Sequence, residues 1–279
     1  MTGAGAITSR PPSVDPTPQA RRRSGRLRLA VHQVGYEHRS FWRNRSRAFF
    51  SFVMPVMLLV VFGSLIGHQR IAERADISFA TFFVPGILAY GIITTTFANL
   101  AASLTLLRDQ GVLKRMRGTP LPPWAYLAGR VGSSALAMAE VVAVTLLVGW
   151  TAFGAHVRAS TLPGLGLALV AGMVCFTALG IAVTAIIPNA DAAQPITAAL
   201  VLPLSFVSSI FFVPEKGPGW VSHVAAIFPI KALADALQFA YDPRTAGRGL
   251  AGQDLVVLTL WALAGMALLR FFRWESRRR

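Results

Sequence analysis

Charge is what this sequence lacks most. Only 14% of its 279 residues are charged, against roughly 25% in a soluble domain, while 54% are hydrophobic. That balance excludes an ordinary water-soluble globule and points to a chain that lives in lipid. Acids are scarcer still, 12 against 27 Lys and Arg, for a net charge of +15. Cysteine occurs once, as Cys175 in an apolar run, which excludes an internal disulfide and leaves a small buried thiol. None of the lysines (Lys114, Lys216, Lys231) is followed by Ser or Thr, so the phosphate-cradling loop Gly-x-x-x-x-Gly-Lys-Ser/Thr is missing. The five histidines show no His-x-x-x-His or Cys-His spacing, which argues against a metal site. Ser, Asp and His occur without a nucleophile motif, so hydrolase chemistry has no support. The first residues also lack the apolar middle of a secretory signal, and the first span is expected to direct insertion.

What the sequence has is long uncharged runs with cations between them. Ten of the 27 cations precede Ala48, four lie between Arg108 and Arg117, and five run from Arg270 to Arg279. That spacing follows the positive-inside rule and is not a groove-reading face, so no nucleic-acid partner is expected. A helix crossing the hydrocarbon needs ~20 apolar residues. On that measure six spans are expected, at about Ala48–Gly67, Phe79–Leu104, Tyr126–Phe153, Leu165–Ile187, Asp191–Val213 and Leu255–Phe272. The fold class is therefore all-α integral membrane, with both termini expected to be cytoplasmic. Residues 1–25 read as a basic, Pro- and Ser-rich disordered tail, and residues 48–275 as the six-span domain.

Residues 26–47 read as an amphipathic interfacial helix on the bilayer surface. Leu27, Val31, Val34, Phe41 and Trp42 fall near one face, with Arg28, Glu37, Arg39 and Arg43 over much of the rest. Small residues at Ala168 and Gly172, and again at Ala178 and Ala182, have a spacing that lets helices approach closely. Asp191 with Gln194 three residues on reads as a capping box opening the fifth span. Residues 215–254 form the odd region, partly apolar but broken at Pro229. Each half is too short to span, so a re-entrant outer hairpin covered by protein is expected. Glu140 is the only carboxylate well inside a span. Such acids are functional by default, and it is a candidate for the translocation path or for a hydrogen bond to a neighbouring helix. Arg130 lies ten residues earlier, ~15 Å along a helix, too far for a direct pair.

The short basic segment Arg108-Asp109-Gln110-Gly111-Val112-Leu113-Lys114-Arg115-Met116-Arg117-Gly118-Thr119-Pro120-Leu121 separates the second and third spans. Together with Val84-Pro85-Gly86-Ile87-Leu88, Tyr126-Leu127-Ala128-Gly129-Arg130 and Phe228-Pro229, it resembles the ABC-2-type permeases, the membrane subunits of drug, antibiotic and polysaccharide exporters. Asp109 stands where that family more often has Glu. The resemblance implies a permease without an ATPase site of its own, ATP and Mg being bound by a separate ATP-binding subunit. It also implies a dimer, two permeases with two ATPases, in which the loop at residues 106–123 docks on the ATPase. The coupling residues carried over are Arg108, Asp109, Gly111, Leu113, Lys114, Arg115, Met116, Arg117, Thr119 and Pro120. Because the outer loops are short, the cargo expected is a hydrophobic or amphipathic small molecule. A polysaccharide or glycolipid exporter, or a proton-coupled secondary transporter working through Glu140, is the alternative.

Overall fold

The computed structural model describes residues 18–67, 70–71, 77–112, 115, 123–208, 210–211 and 224–271. It is built from helices: α1 (Pro18–Arg43), α2 (Arg45–Ala48), α3 (Met54–Ile66), α4 (Phe79–Ile93), α5 (Asn99–Asp109), α6 (Pro123–Phe153), α7 (Leu162–Val183), α8 (Ala190–Val207), α9 (Pro229–Tyr241) and α10 (Gly252–Leu268). Strands Arg70–Ile71 and Ile77–Ser78 form a two-residue antiparallel ribbon between α3 and α4. Two π-helical turns join helices end to end, Phe49–Val53 between α2 and α3 and Thr94–Ala98 between α4 and α5.

Among the described residues, four helical runs are long and apolar enough to cross a membrane: Phe79–Asp109, Trp124–Phe153, Ala159–Val183 and Ala190–Val207. Ser51–Ile66 and Gly252–Leu268, where the first and last spans were expected, are shorter. Sixteen residues of helix cover only ~24 Å, short of a hydrocarbon core of ~30 Å.

The run Phe79–Asp109 is the axis of the fold. Of its most apolar stretch 78% is buried, against 22% for Ala190–Val207. Val84, Ile87, Leu88, Ala89, Ile92 and Ile93 are fully enclosed and pack with Phe83, Met138, Val142, Phe176, Leu233 and Leu237 in one core. Gly86 makes this packing possible, because a Cβ there would run into the backbone carbonyl of Ile210. The small residues of α7 serve the same end. A Cβ on Gly172 would come within 2.6 Å of Leu233 Cδ1, and Ala178 packs against Gly265 of α10. Elsewhere Val61, Leu65, Leu147, Trp150, Val170, Phe206, Leu260 and Leu263 stand exposed, an apolar exterior that suits lipid or a second protein.

The N-terminal helix departs from expectation in two ways. It starts at Pro18, so the last residues assigned to the tail are helical. Its packed face is Ala30, Gln33, Val34, Glu37, His38 and Phe41, whereas Val31 and Trp42 are exposed. The helix lies against α6, with Gln33 over Gly129 and Val34 over Gly132, and a partner for the Glu37 carboxylate waits there. Polar matching combined with two glycines outweighs the hydrophobic stripe that the sequence suggested. The segment at residues 215–254 is described from 224 onward. Residues 224–227 make one turn, Phe228 is extended, and α9 starts with Pro229 at a position where its missing N–H costs nothing. Helix α9 is enclosed by α4, α7 and α10.

Candidate functional site: the basic loop, its anchors and a polar groove

Helix α5 ends at Asp109, and Gly111 stops it by taking φ +68°, a left-handed conformation that glycine adopts without strain. Its N–H reaches Arg108 O at 3.0 Å, and the Arg115 N–H then bonds Gly111 O at 3.0 Å. Arg115 is exposed, and its guanidinium donates to Gln110 O at 3.1 Å. Leu113, Lys114, Met116, Arg117, Thr119 and Pro120 lie outside the described residues.

Arg108 and Asp109 turn inward. The Arg108 side chain is 5% exposed. One of its terminal nitrogens donates to Thr184 O at 2.7 Å, the other to Ile187 O at 2.7 Å and Pro188 O at 3.3 Å. These carbonyls follow the end of α7, where a helix leaves acceptors unpaired and its dipole favours a cation. Asp109 Oδ1 lies 3.7 Å from Arg108 Nε. Asp109 Oδ2 accepts the N–H of Ala190 at 2.6 Å, at the start of α8, where the dipole favours an anion. The two neighbouring residues thus bracket the α7–α8 turn with matching charges. The capping box expected at Asp191 is corrected by the same geometry. Asn189 is the cap, its Oδ1 accepting from Ala192 N at 2.9 Å, and Asp191 sits exposed within the first turn. The cap falls to Asn189 because its backbone is still extended, which aims a short side chain at the free N–H groups.

Between α3, the α4–α5 run and α8 lies a groove. A cavity of about 280 Å³ is lined by Ser51, Met54, Tyr90, Thr94, Asn99, Gln194, Thr197, Val201 and Leu202, among others. A second, of about 500 Å³, shares Asn99 and Gln194 and is lined as well by Asn44, Ser46, Leu106 and Asp191. Asn99 Nδ2 donates to Ser51 Oγ across it, tying the first π turn to the start of α5, directly after the second. Thr95 and Thr96 return their hydroxyls to Gly91 O (2.6 Å) and Ile92 O (2.7 Å), so that both buried hydroxyls are satisfied one turn back along their own helix. Gly180 of α7 lets that turn come close, since a Cβ there would sit 2.9 Å from Thr96 O. Asn99, Ser51 and Thr94 belong to no motif in the sequence; amide and hydroxyl side chains inside uncharged spans are the signal that marks them.

Glu140 lies apart from this groove. Its Oε1 is 3.0 Å from His38 Nε2 on α1, and Trp42 Nε1 lies 3.2 Å from the same ring nitrogen, which donates to the carboxylate when protonated and accepts from the indole when not, never both. The neighbouring Glu37, 4% exposed, meets Arg130 Nε at 3.2 Å, and Gln33 donates to its other oxygen at 3.3 Å. Arg130 and Glu140 do not pair with each other; each finds a partner on α1. The Glu140 side chain is 40% exposed, in the middle of a membrane-length helix, and a Gln there keeps an amide able to hydrogen-bond His38. Glu140→Gln is therefore expected to lower the melting temperature of the detergent-purified chain by only a few degrees, at ~2–4 °C per kcal/mol. A much larger drop would mean that the carboxylate charge itself holds α1.

The sequence profile described as ABC-2 type transporter matches residues 34–241, which takes in α3 to α9, the loop and all three walls of the groove. The chain is 23% identical over 221 residues to the inner membrane transport permease YadH of Escherichia coli strain K12, covering 76% of this chain and 85% of that protein. It is 29% identical over 225 residues to the daunorubicin resistance ABC transporter permease protein DrrB1 of Streptomyces coeruleorubidus, covering 77% of this chain and 73% of that one. Apolar helices around one buried run, the basic turn closing that run and the match over most of the chain agree: this protein is a membrane permease belonging to the ABC-2 type transporter family.

Proposed function

We propose that this chain is the membrane subunit of an exporter driven by a separate ATP-binding subunit, and that it moves a hydrophobic or amphipathic small molecule outward. The observation that carries the reading is the groove itself. Its walls mix Asn99, Gln194, Ser51 and Thr197 with Tyr90, Met54 and Leu202, a lining suited to a molecule with both polar and apolar parts. Helix α8, one wall, is largely unburied within a single chain, and a second copy packed against it completes the path. The similarity to DrrB1, a daunorubicin resistance permease, favours a drug-like cargo over a polysaccharide.

In this assembly two permeases sit over two ATP-binding subunits, which hold ATP and Mg. The exposed Arg115 and the remaining loop residues Gly111, Leu113, Lys114, Met116, Arg117, Thr119 and Pro120 form the docking face, where short apolar anchors among cations suit a groove on a partner. The two shorter apolar helices, lengthened by the helical turns Arg45–Ala48 and Phe49–Val53 before one and Leu269–Phe271 after the other, complete six spans, α9 is the protein-covered half of an outer re-entrant hairpin, and both termini are cytoplasmic, in keeping with the cation distribution. Glu140 supports α1 and stands off the path.

Affinity purification of the chain from its native membrane tests the reading. An ATP-binding subunit is expected near equal stoichiometry, and Arg115→Glu is expected to weaken its recovery, since a reversed charge at a docking face costs affinity. A chain that transports without any such partner would overturn it.

A further inference from the structure

The exporter reading leaves open how a push on an exposed loop reaches the wall of a groove inside the bilayer. We infer that Arg108 and Asp109 are the mechanical link: positioning residues that make α8 follow the end of α5. The inference rests on the exporter reading above. Arg108 is too deeply buried to dock on a partner, and its three hydrogen bonds go to residues 76 to 80 positions away in the same chain. Asp109 holds the first N–H of α8, 81 positions away. Both sit on the last turn of α5, directly before the loop. Among the described elements α8 packs chiefly on α5, and Ala193 and Ile196 cluster with Ala101 and Ala102 beside the two anchors, so the start of α8 and the end of α5 form one unit.

A displacement of the loop therefore moves the end of α5, and two charge-assisted anchors carry the α7–α8 turn with it. Ala190, Asp191 and Gln194, the first residues of α8, line the inner mouth of the groove, so that mouth changes shape when the loop moves. The link is discrete: a planar guanidinium satisfies several carbonyls in a fixed fork, which no single-point cation reproduces.

The test uses the assembled complex in lipid, with spin labels at Met57→Cys on α3 and Leu202→Cys on α8, both exposed positions, while the native Cys175 is buried. The distance between labels is compared without nucleotide and with ATP plus vanadate. Wild type is expected to shift. Arg108→Gln is expected to keep its ATP-binding subunit, yet to show a shift smaller by roughly half or more, as when one element of a two-state link is cut. Asp109→Ala should behave likewise, whereas Asp109→Asn, whose amide oxygen still accepts from Ala190, should restore the shift. If Arg108→Gln does not insert, the Asp109 pair decides. Full shifts in Arg108→Gln and Asp109→Ala would overturn the link and leave the exporter standing. A wild-type chain that brings no ATP-binding subunit would overturn both.

Discussion

Arg130→Met, with Glu37 left in place, is expected to destabilise the protein by about 3–5 kcal/mol, the cost of stranding a buried charge. The melting temperature in detergent should fall on the order of 10 °C. Glu37 is 4% exposed and Arg130 13%, with 3.2 Å between them, so neither has water to fall back on. Once Arg130 is gone, the Glu37 carboxylate keeps, among the described residues, the hydrogen bond from Gln33. The second variant of the cycle separates charge from shape. Glu37→Gln with Arg130→Met removes both charges at similar volume and should recover most of the loss, because paired burial and apolar packing come out close in free energy. Since this pair holds α1 to α6, the single variant should also expose α1 to proteolysis in membrane vesicles. A single variant as stable as wild type would mean that the pair is open to solvent.

Gly86→Ala is the second large effect. A helix interior normally gains up to about 1 kcal/mol from Gly to Ala. At this position the new methyl group meets the carbonyl oxygen of Ile210, and a backbone atom in the core cannot swing aside as a side chain would. Overpacking of this kind costs roughly 1–3 kcal/mol or more, and the displaced element is the central helix that lines the groove. Lower expression in the membrane and an earlier melt are expected together. Gly166→Ala in α7, where nothing lies within 4 Å of the added methyl group, is the control and should be neutral or stabilising. Equal behaviour of the two would show that α4 is not held so close to Ile210.

The motif Val84-Pro85-Gly86-Ile87-Leu88 was legible as a family mark, and its physical reason was not. The reason is a contact with a residue more than a hundred positions later, and no local pattern encodes such a contact. Arg108 and Asp109 teach the same lesson. As members of a basic loop they read as partner-facing, yet the structure buries one and ties both to the α7–α8 turn. Helix α1 was legible as a helix, but its buried face was not, because an amphipathic wheel counts apolar residues and cannot see that Arg130 waits opposite Glu37.

The sequence by itself determined the class of molecule, the apolar runs, the place of the basic turn and the family. Each of these depends on composition and local spacing: lipid demands uncharged stretches of a set length, and cations must stay out of them. Only the tertiary structure decided which polar residues face the groove, which cations bind the protein's own backbone, and which helix end each carboxylate caps. Those choices depend on pairings across 76 to 81 positions, where a buried donor or acceptor takes whatever partner the packing brings within about 3 Å.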